Sequence, residues 1–120
     1  MQTTRKPHAR RTAAPERALQ RACIDYLRLA KIRGLFWTAI NPVPGKSIAV
    51  AAISKSMGVR AGVPDMILIR AGRTVFVEFK ADKGRLKPSQ KELFPEIIAA
   101  GVRIVECRSL DEFLRIGFFD

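Results

Sequence analysis

The chain contains few of the side chains that bind transition metals or form disulfides. Its 120 residues include two cysteines and one histidine, which are Cys23, Cys107 and His8. The two cysteines lie far apart in the sequence and form no CxxC pair. A thiolate or imidazole metal site and a disulfide framework are therefore not expected. We expect a cytoplasmic protein whose thiols are reduced.

Long apolar segments and internal repeats are also absent. No apolar run reaches the roughly 18 residues that a membrane span requires. The first 15 residues, MQTTRKPHARRTAAP, carry positive charge with no apolar stretch behind it, so we expect no signal peptide. The chain is not predicted to associate with a membrane.

Acidic residues are outnumbered by basic ones, with 11 Asp and Glu against 22 Lys and Arg and a net charge of +11. Such an excess favours a polyanionic partner. Nucleic acid is favoured over an anionic membrane, because no segment shows a strongly basic face with bulky apolar residues opposite. A hydrophobic fraction of 48% in a chain of this length predicts one globular domain.

The periodicity of apolar residues predicts eight elements in the order helix, strand, helix, two strands of a hairpin, helix, strand, helix. Pro15 is expected to start the first helix, and Pro95 should kink or split the third. We predict an α/β domain with a mixed central sheet over residues 14–120, preceded by a flexible basic arm at residues 1–13. The predicted bounds are 15–34, 35–40, 47–57, 66–69, 75–80, 88–100, 102–107 and a short last helix after Ser109.

Three charged residues are predicted to meet at one end of the hairpin. Asp65 lies at the start of the first strand, and Glu78 and Lys80 lie near the end of the second. Alternation along a strand places Glu78 and Lys80 on one face, roughly 6.6 Å apart, with Phe76 continuing that face inward. Two partly desolvated carboxylates repel one another unless a cation joins them. Mg²⁺ is the expected cation, since it takes one or two carboxylates together with waters and phosphate oxygens.

This arrangement resembles the PD-(D/E)xK nucleases, whose signature here is Pro64-Asp65 followed by Glu78-x-Lys80. The wider layout, over about residues 16–107, is similar to the virus-type replication-repair nuclease (VRR-NUC) branch of that superfamily. The motifs that carry the resemblance are Glu16 in the first helix, Gly62-x-Pro64-Asp65, the segment from Phe76 to Lys80, Gly84-Arg85-Leu86-x-Pro88-x-Gln90, and Gly101.

The resemblance implies a restriction-endonuclease-like core and a metal-dependent DNA endonuclease. It implies metal coordination by Asp65, Glu78 and the main-chain carbonyl of Phe79, with Mg²⁺ as the cofactor and Mn²⁺ as a substitute. It further implies catalysis assisted by Lys80, with supporting roles for Gln90 and for Glu16, which is a further candidate ligand. Similar proteins that stand alone look like junction resolvases and homodimers, so branched or four-way-junction DNA is the expected substrate. A phage, prophage or bacterial setting fits this family.

Further basic residues are predicted to contact the DNA backbone, although a solvated surface is an equal alternative for several of them. They are Arg5, Lys6, Arg10, Arg11, Lys46, Lys55, Arg60, Lys83, Arg85 and Lys87. Sequence specificity is not expected in so small a domain. The sequence also leaves open whether the apolar C-terminal stretch, residues 113–119, forms a dimer interface or closes the core of one chain.

Two other functions compete with this prediction. An isolated Glu-x-Lys is more often a surface ion pair on a strand than a catalytic site, and Asp65 alone fits a turn after Pro64. A non-catalytic DNA-binding module with a nuclease fold is therefore the main alternative. A basic structural protein of a ribonucleoprotein is the second. An acidic pair beside phosphate argues against both.

Overall fold

A computed structural model of the protein describes residues 8–40 and 47–120. The eight predicted elements are present in the predicted order. Their bounds are α1 His8–Ala30, β1 Leu35–Ala39, α2 Ile48–Ser56, β2 Met66–Arg70, β3 Arg73–Phe79, α3 Pro88–Ala99, β4 Arg103–Cys107 and α4 Leu110–Leu114.

The four strands form one mixed sheet in the order β1-β2-β3-β4. The first three are antiparallel neighbours, and β4 runs parallel to β3. The hairpin between β2 and β3 turns on two residues, Ala71 and Gly72, which both have positive φ. Such two-residue turns match the natural twist of the flanking strands and fix their register. The predicted α/β fold with a mixed central sheet is confirmed.

The core lies between one face of the sheet and helices α1 and α4. Its buried members come from the sheet, from α1 and from the C-terminal segment, and they are Cys23, Leu27, Met66, Leu68, Val75, Val77, Phe79, Cys107, Phe113, Ile116 and Phe118. Burial raises the pKa of both cysteine thiols to about 12. The aromatic C-terminal stretch therefore closes the core of the single chain, which decides between the two alternatives that the sequence left open.

Two local predictions are wrong. Helix α1 begins at His8 rather than at Pro15, which lies inside it, so residues 8–13 of the predicted arm are helical. Alanine and arginine favour helix strongly enough there to accommodate the proline. Helix α3 runs through Pro95 as one helix, so the expected split is wrong, and a kink there stays a prediction. Pro95 has no amide hydrogen to donate to the carbonyl group four residues earlier. Because Pro95 is on the exposed side of the helix, water can hydrogen-bond to that carbonyl group instead. Residues 1–7 lie outside the described part of the chain.

Helix α2 contrasts with the other helices because none of its residues is buried. Ser47 caps it by accepting a hydrogen bond from the Val50 amide. Large apolar side chains on and just after α2 are exposed, namely Ile48, Val50, Ile53, Met57 and Val59. Across the described residues, no helix combines the length and apolarity needed to span a membrane.

Candidate active site

The register of the hairpin brings Asp65 to the end of β3. Met66 pairs with Val77, so Asp65, one residue earlier, lies across from Glu78. The Asp65 carbonyl accepts a hydrogen bond from the Ile40 amide at 2.8 Å, which continues the pairing of β1 with this segment. The Asp65 side chain is fixed as well, because its Oδ2 accepts a hydrogen bond from the Phe79 amide at 2.8 Å.

Glu78 and Lys80 lie side by side and are almost fully enclosed. Their exposed fractions are 3% and 2%, and Lys80 Nζ lies 3.3 Å from Glu78 Oε2. The Lys80 amide donates to the Cys107 carbonyl at 2.9 Å, so the pairing of β3 with β4 continues through Lys80 and fixes its direction. A buried ion pair is costly unless further hydrogen bonds satisfy its atoms.

Gln90, in the first turn of α3, supplies those hydrogen bonds. Its Nε2 donates to Glu78 Oε2 at 2.7 Å. Its Oε1 accepts from Lys80 Nζ and from the Lys87 amide, both at 2.9 Å. This pattern permits one orientation of the amide, since the reverse would direct its NH₂ group at an ammonium and its oxygen at a carboxylate. Gln90 therefore orients both Glu78 and Lys80.

A glycine contact links the Asp65 segment to α3. Gly62 has φ +92°, and a Cβ at this position would lie 2.5 Å from the Ser89 carbonyl oxygen and 3.1 Å from the Gln90 amide nitrogen. Only glycine allows the backbone to approach this closely. Gly62 thus holds the loop that leads to Asp65 against the helix turn that carries Gln90.

Glu16 of α1 borders this cluster and is half-buried. Its Oε2 accepts a hydrogen bond from the Ala81 amide at 3.3 Å, and its charge contributes to raising the pKa of Asp65. Among the described residues, no group of three or more His, Cys, Asp or Glu side chains is placed to hold a metal ion. The acidic centre is therefore the pair Asp65 and Glu78. Glu16 lies beside this pair and accepts a hydrogen bond from the Ala81 amide.

Burial dominates the electrostatics of the acid pair. It raises the pKa of Asp65, against the hydrogen bond from Phe79 and the charge of Lys80. It also raises the pKa of Glu78 to about 7, assisted by the charge of Asp65 and opposed by Lys80 and Gln90. Two neighbouring carboxyls with raised pKa values indicate a site short of positive charge.

The residues of this pair fit a divalent cation. Glu78 Oε1 is buried, and it has no hydrogen-bond partner within the described chain. An unsatisfied buried oxygen is costly, and a second carboxylate lies across the hairpin from it. Two carboxylates are the protein ligands that Mg²⁺ commonly takes, with water and phosphate oxygens completing its shell. Asp65 and Glu78 Oε1 would hold the ion. The Phe79 carbonyl, in the strand beside them, stays a predicted ligand.

The basic residues predicted to contact DNA occupy different places. Lys83, Arg85 and Lys87 are exposed in the loop that joins Lys80 to Gln90, and both of these flanking residues belong to the buried cluster. Arg60 instead forms an exposed, bidentate ion pair with Glu96. Its Nη1 lies 2.8 Å from Oε1 of the glutamate, and its Nη2 lies 2.6 Å from Oε2. Lys55 and Arg60 line a groove of about 740 Å³ between α2 and α3. The side chains of Arg5, Lys6, Arg10, Arg11 and Lys46 lie outside the described part of the structure.

Sequence reasoning missed three arginines on α1 and one arginine after β4. Arg17, Arg21 and Arg28 line a groove of about 400 Å³ along α1, and the last of them stacks over the Trp37 ring at 5.9 Å. Their spacing of four and seven residues was a visible helical signal. Arg108, after β4, donates hydrogen bonds to the loop that follows Lys80. No local pattern in the sequence indicates that contact.

Comparison with known proteins agrees with the resemblance drawn from the motifs. Residues 33–111 match the family described as the VRR-NUC domain. A solved structure described as a VRR_NUC domain protein superposes with a TM-score of 0.65 at 24% identity, covering 84% of this chain and 83% of that one. A second, described as a VRR_NUC domain, gives 0.57 at 17% identity and covers 87% and 98%. No curated protein matches the chain. These identities establish a shared fold.

Proposed function

The chain belongs to the VRR-NUC domain family, which has a nuclease fold, and from that premise we propose that it is a Mg²⁺-dependent DNA endonuclease. The observation that carries the proposal is the unpartnered, buried Glu78 Oε1 beside a second carboxylate and a buried lysine. A protein that only binds DNA has no use for two acids next to phosphate. The presence of this acid pair therefore argues against a non-catalytic DNA-binding module.

Each residue of the cluster has a distinct part in the proposed hydrolysis. Asp65 and Glu78 would hold the cation, and the chemistry that it would supply there is polarisation of the phosphate and a lower pKa for a bound water. Lys80 lies 3.3 Å from Glu78 and 2.9 Å from Gln90, so its ammonium is fixed to orient the attacking water and to neutralise charge on the phosphoryl oxygens. Gln90 keeps both partners in position. Glu16 supports the backbone that follows Lys80.

Charge and loop placement support DNA as the substrate. The net charge of +11 attracts a polyanion, and Lys83, Arg85 and Lys87 form an exposed basic rim next to the site. Phosphate contacts fix position without reading sequence, so selection would depend on DNA shape. We expect branched or four-way-junction DNA to be preferred over linear duplex.

The exposed apolar face of α2 supports a homodimer. The C-terminal stretch contributes Phe113, Ile116 and Phe118 to the core, whereas Ile53 and Met57 on and just after α2 are 63% and 78% exposed. An interface on a two-fold axis uses the same surface patch on both copies, and these exposed apolar side chains would supply that patch. Two sites related by such an axis suit a branched substrate.

One assay tests the activity. The protein is incubated with supercoiled plasmid, linear duplex and a four-way junction, in Mg²⁺, Mn²⁺ or EDTA. We expect cleavage that requires the metal and is lost in Lys80→Ala while DNA binding persists. Lys91→Ala is the matched control, since Lys91 is an exposed lysine next to Gln90. Tight binding without cleavage in any metal would favour the non-catalytic alternative, and equal rates on linear and junction DNA would refute the shape preference.

A further inference from the structure

The backbone immediately after Lys80 forms a tight turn from Ala81 to Gly84. The Gly84 amide donates to the Ala81 carbonyl at 2.8 Å, which closes the turn. The turn connects two groups with different tasks in the proposed function. Lys80 precedes it inside the buried cluster, and Lys83 and Arg85 lie in it or just after it on the surface.

The side chain of Arg108 donates hydrogen bonds to the carbonyl groups at both ends of this turn. Nη1 of Arg108 donates to the Ala81 carbonyl at 2.9 Å and to the Gly84 carbonyl at 3.0 Å. The two hydrogens of that nitrogen match the two acceptors. Nη2 lies 3.3 Å from Glu106 Oε1, which holds the guanidinium from its other side. Arg108 thus connects the carbonyl oxygens of Ala81 and Gly84 to the end of β4.

The backbone of Arg108 is itself fixed by the start of α4. Its amide donates to Glu112 Oε1 at 2.7 Å, and Ser109 Oγ accepts from the Glu112 amide at 3.1 Å. The capping of α4 therefore fixes the point from which the guanidinium extends. Because the guanidinium is planar and rigid, little freedom remains to it once these contacts form.

Glu16 holds the opposite side of the turn. Its Oε2 accepts from the Ala81 amide at 3.3 Å. A Cβ at Gly84 would lie 3.2 Å from that same oxygen and 3.2 Å from the amide nitrogen and carbonyl oxygen of Ala81. The turn is therefore tightly packed between α1 and the end of β4, and the guanidinium of Arg108 binds the carbonyls at both of its ends.

We propose that Arg108 is a positioning residue that holds the Ala81–Gly84 turn so that Lys83 and Arg85 meet the DNA phosphates next to the acid pair. The proposal rests on the proposed function, and it assigns Arg108 to substrate binding rather than to hydrolysis. Lys80 is held independently, by Gln90, by Glu78 and by the Cys107 carbonyl. Loosening the turn therefore affects the basic rim and leaves the ammonium in place.

The test is a comparison of DNA binding and cleavage in Arg108→Ala. We expect KM and the dissociation constant for DNA to rise about tenfold, while kcat at saturating DNA changes less than threefold. The slope of the logarithm of affinity against the logarithm of salt concentration should fall by about 1 to 2, as expected for one or two lost phosphate contacts. Binding is measured by fluorescence anisotropy in EDTA, so it is independent of cleavage.

A double-variant comparison separates positioning from general damage. Lys83→Ala with Arg85→Ala should weaken binding about tenfold in the wild-type background and less than threefold when Arg108→Ala is already present, since residues that act as a unit are not additive. Arg103→Ala is the matched control. Arg103 also donates to a backbone carbonyl, that of Ile116 at 3.0 Å, but it pairs with Val75 at the other end of the strands. It should leave the salt slope unchanged.

Every outcome bears on the proposal. Unchanged binding in Arg108→Ala, fully additive losses, or a fall in kcat with KM constant would overturn it while the nuclease activity stands. If the protein binds DNA without cutting it, the nuclease proposal fails and the binding measurements still decide the role of Arg108. Absence of both binding and cleavage would refute both proposals. Should Arg108→Ala not fold, Arg108→Lys, which keeps the charge but loses the planar fork, is expected to raise KM about threefold.

Discussion

Replacing Glu78 by glutamine tests the electrostatics of the acid pair. Burial raises the pKa of Glu78 from its usual 4.5 to about 7. Between these values the folded state binds more protons than the unfolded state, so the free energy of unfolding must fall as pH rises. The stabilisation is complete below about pH 4.5 and is lost as pH rises through 7. The rise in pKa from 4.5 to about 7 corresponds to roughly 3.5 kcal/mol in full, of which about 3 kcal/mol is lost between pH 4.5 and pH 8.

The assay is urea denaturation in EDTA at several pH values from 4.5 to 8. Wild-type protein should lose up to about 3 kcal/mol of stability over this range, and Glu78→Gln should lose much less, because the glutamine does not titrate. At pH 8, Mg²⁺ at ten times its dissociation constant should restore about 1.4 kcal/mol to the wild type and little to the variant. Glu92→Gln, at an exposed site on α3, should behave as the wild type. A wild-type stability that is flat or rises with pH, or an equal fall in Glu78→Gln, would refute this reasoning.

Three further predictions concern other parts of the structure. Gln90→Met should cost about 2–4 kcal/mol in denaturant melts and abolish cleavage, because it leaves Lys80 Nζ and Glu78 Oε2 short of partners; an active variant of native stability would contradict the role given to Gln90. Gly62→Ala should cost about 2–4 kcal/mol, whereas Gly72→Ala, also at positive φ but with open space around it, should cost about 1; equal losses would show that the contact with Ser89 is unimportant. Met57→Lys with Ile53→Glu should convert a dimer to a monomer in light scattering without lowering the melting temperature of the chain, since both side chains are exposed; an unchanged mass would place the interface elsewhere.

The meeting of Asp65 with Glu78 and Lys80 could be predicted because it depends on local information. A two-residue turn at Ala71-Gly72 fixes an antiparallel register, and the register alone determines which residues share an end of the sheet. The order of elements followed from apolar periodicity in the same way. Family membership was predictable from motif spacing around these same positions.

The contacts of Arg108 could not be predicted, because they join residues 24 and 27 positions away through a side chain with no periodic signal. The exposure of α2 was also hidden, since a run of alanine, isoleucine and valine has the composition of a buried helix. The start of α1 could not be predicted from Pro15, because proline favours the first turn of a helix, whereas here the alanines and arginines before it extend the helix back to His8.

The central claim is that Asp65 and Glu78 together hold a divalent cation. Anomalous diffraction from crystals soaked in Mn²⁺ measures this directly. We predict one peak about 2.0–2.2 Å from an Asp65 carboxylate oxygen and from Glu78 Oε1, which disappears in Glu78→Gln. Well-ordered crystals with no peak between these two side chains, or with carboxylates too far apart for one ion to contact both, would contradict the claim.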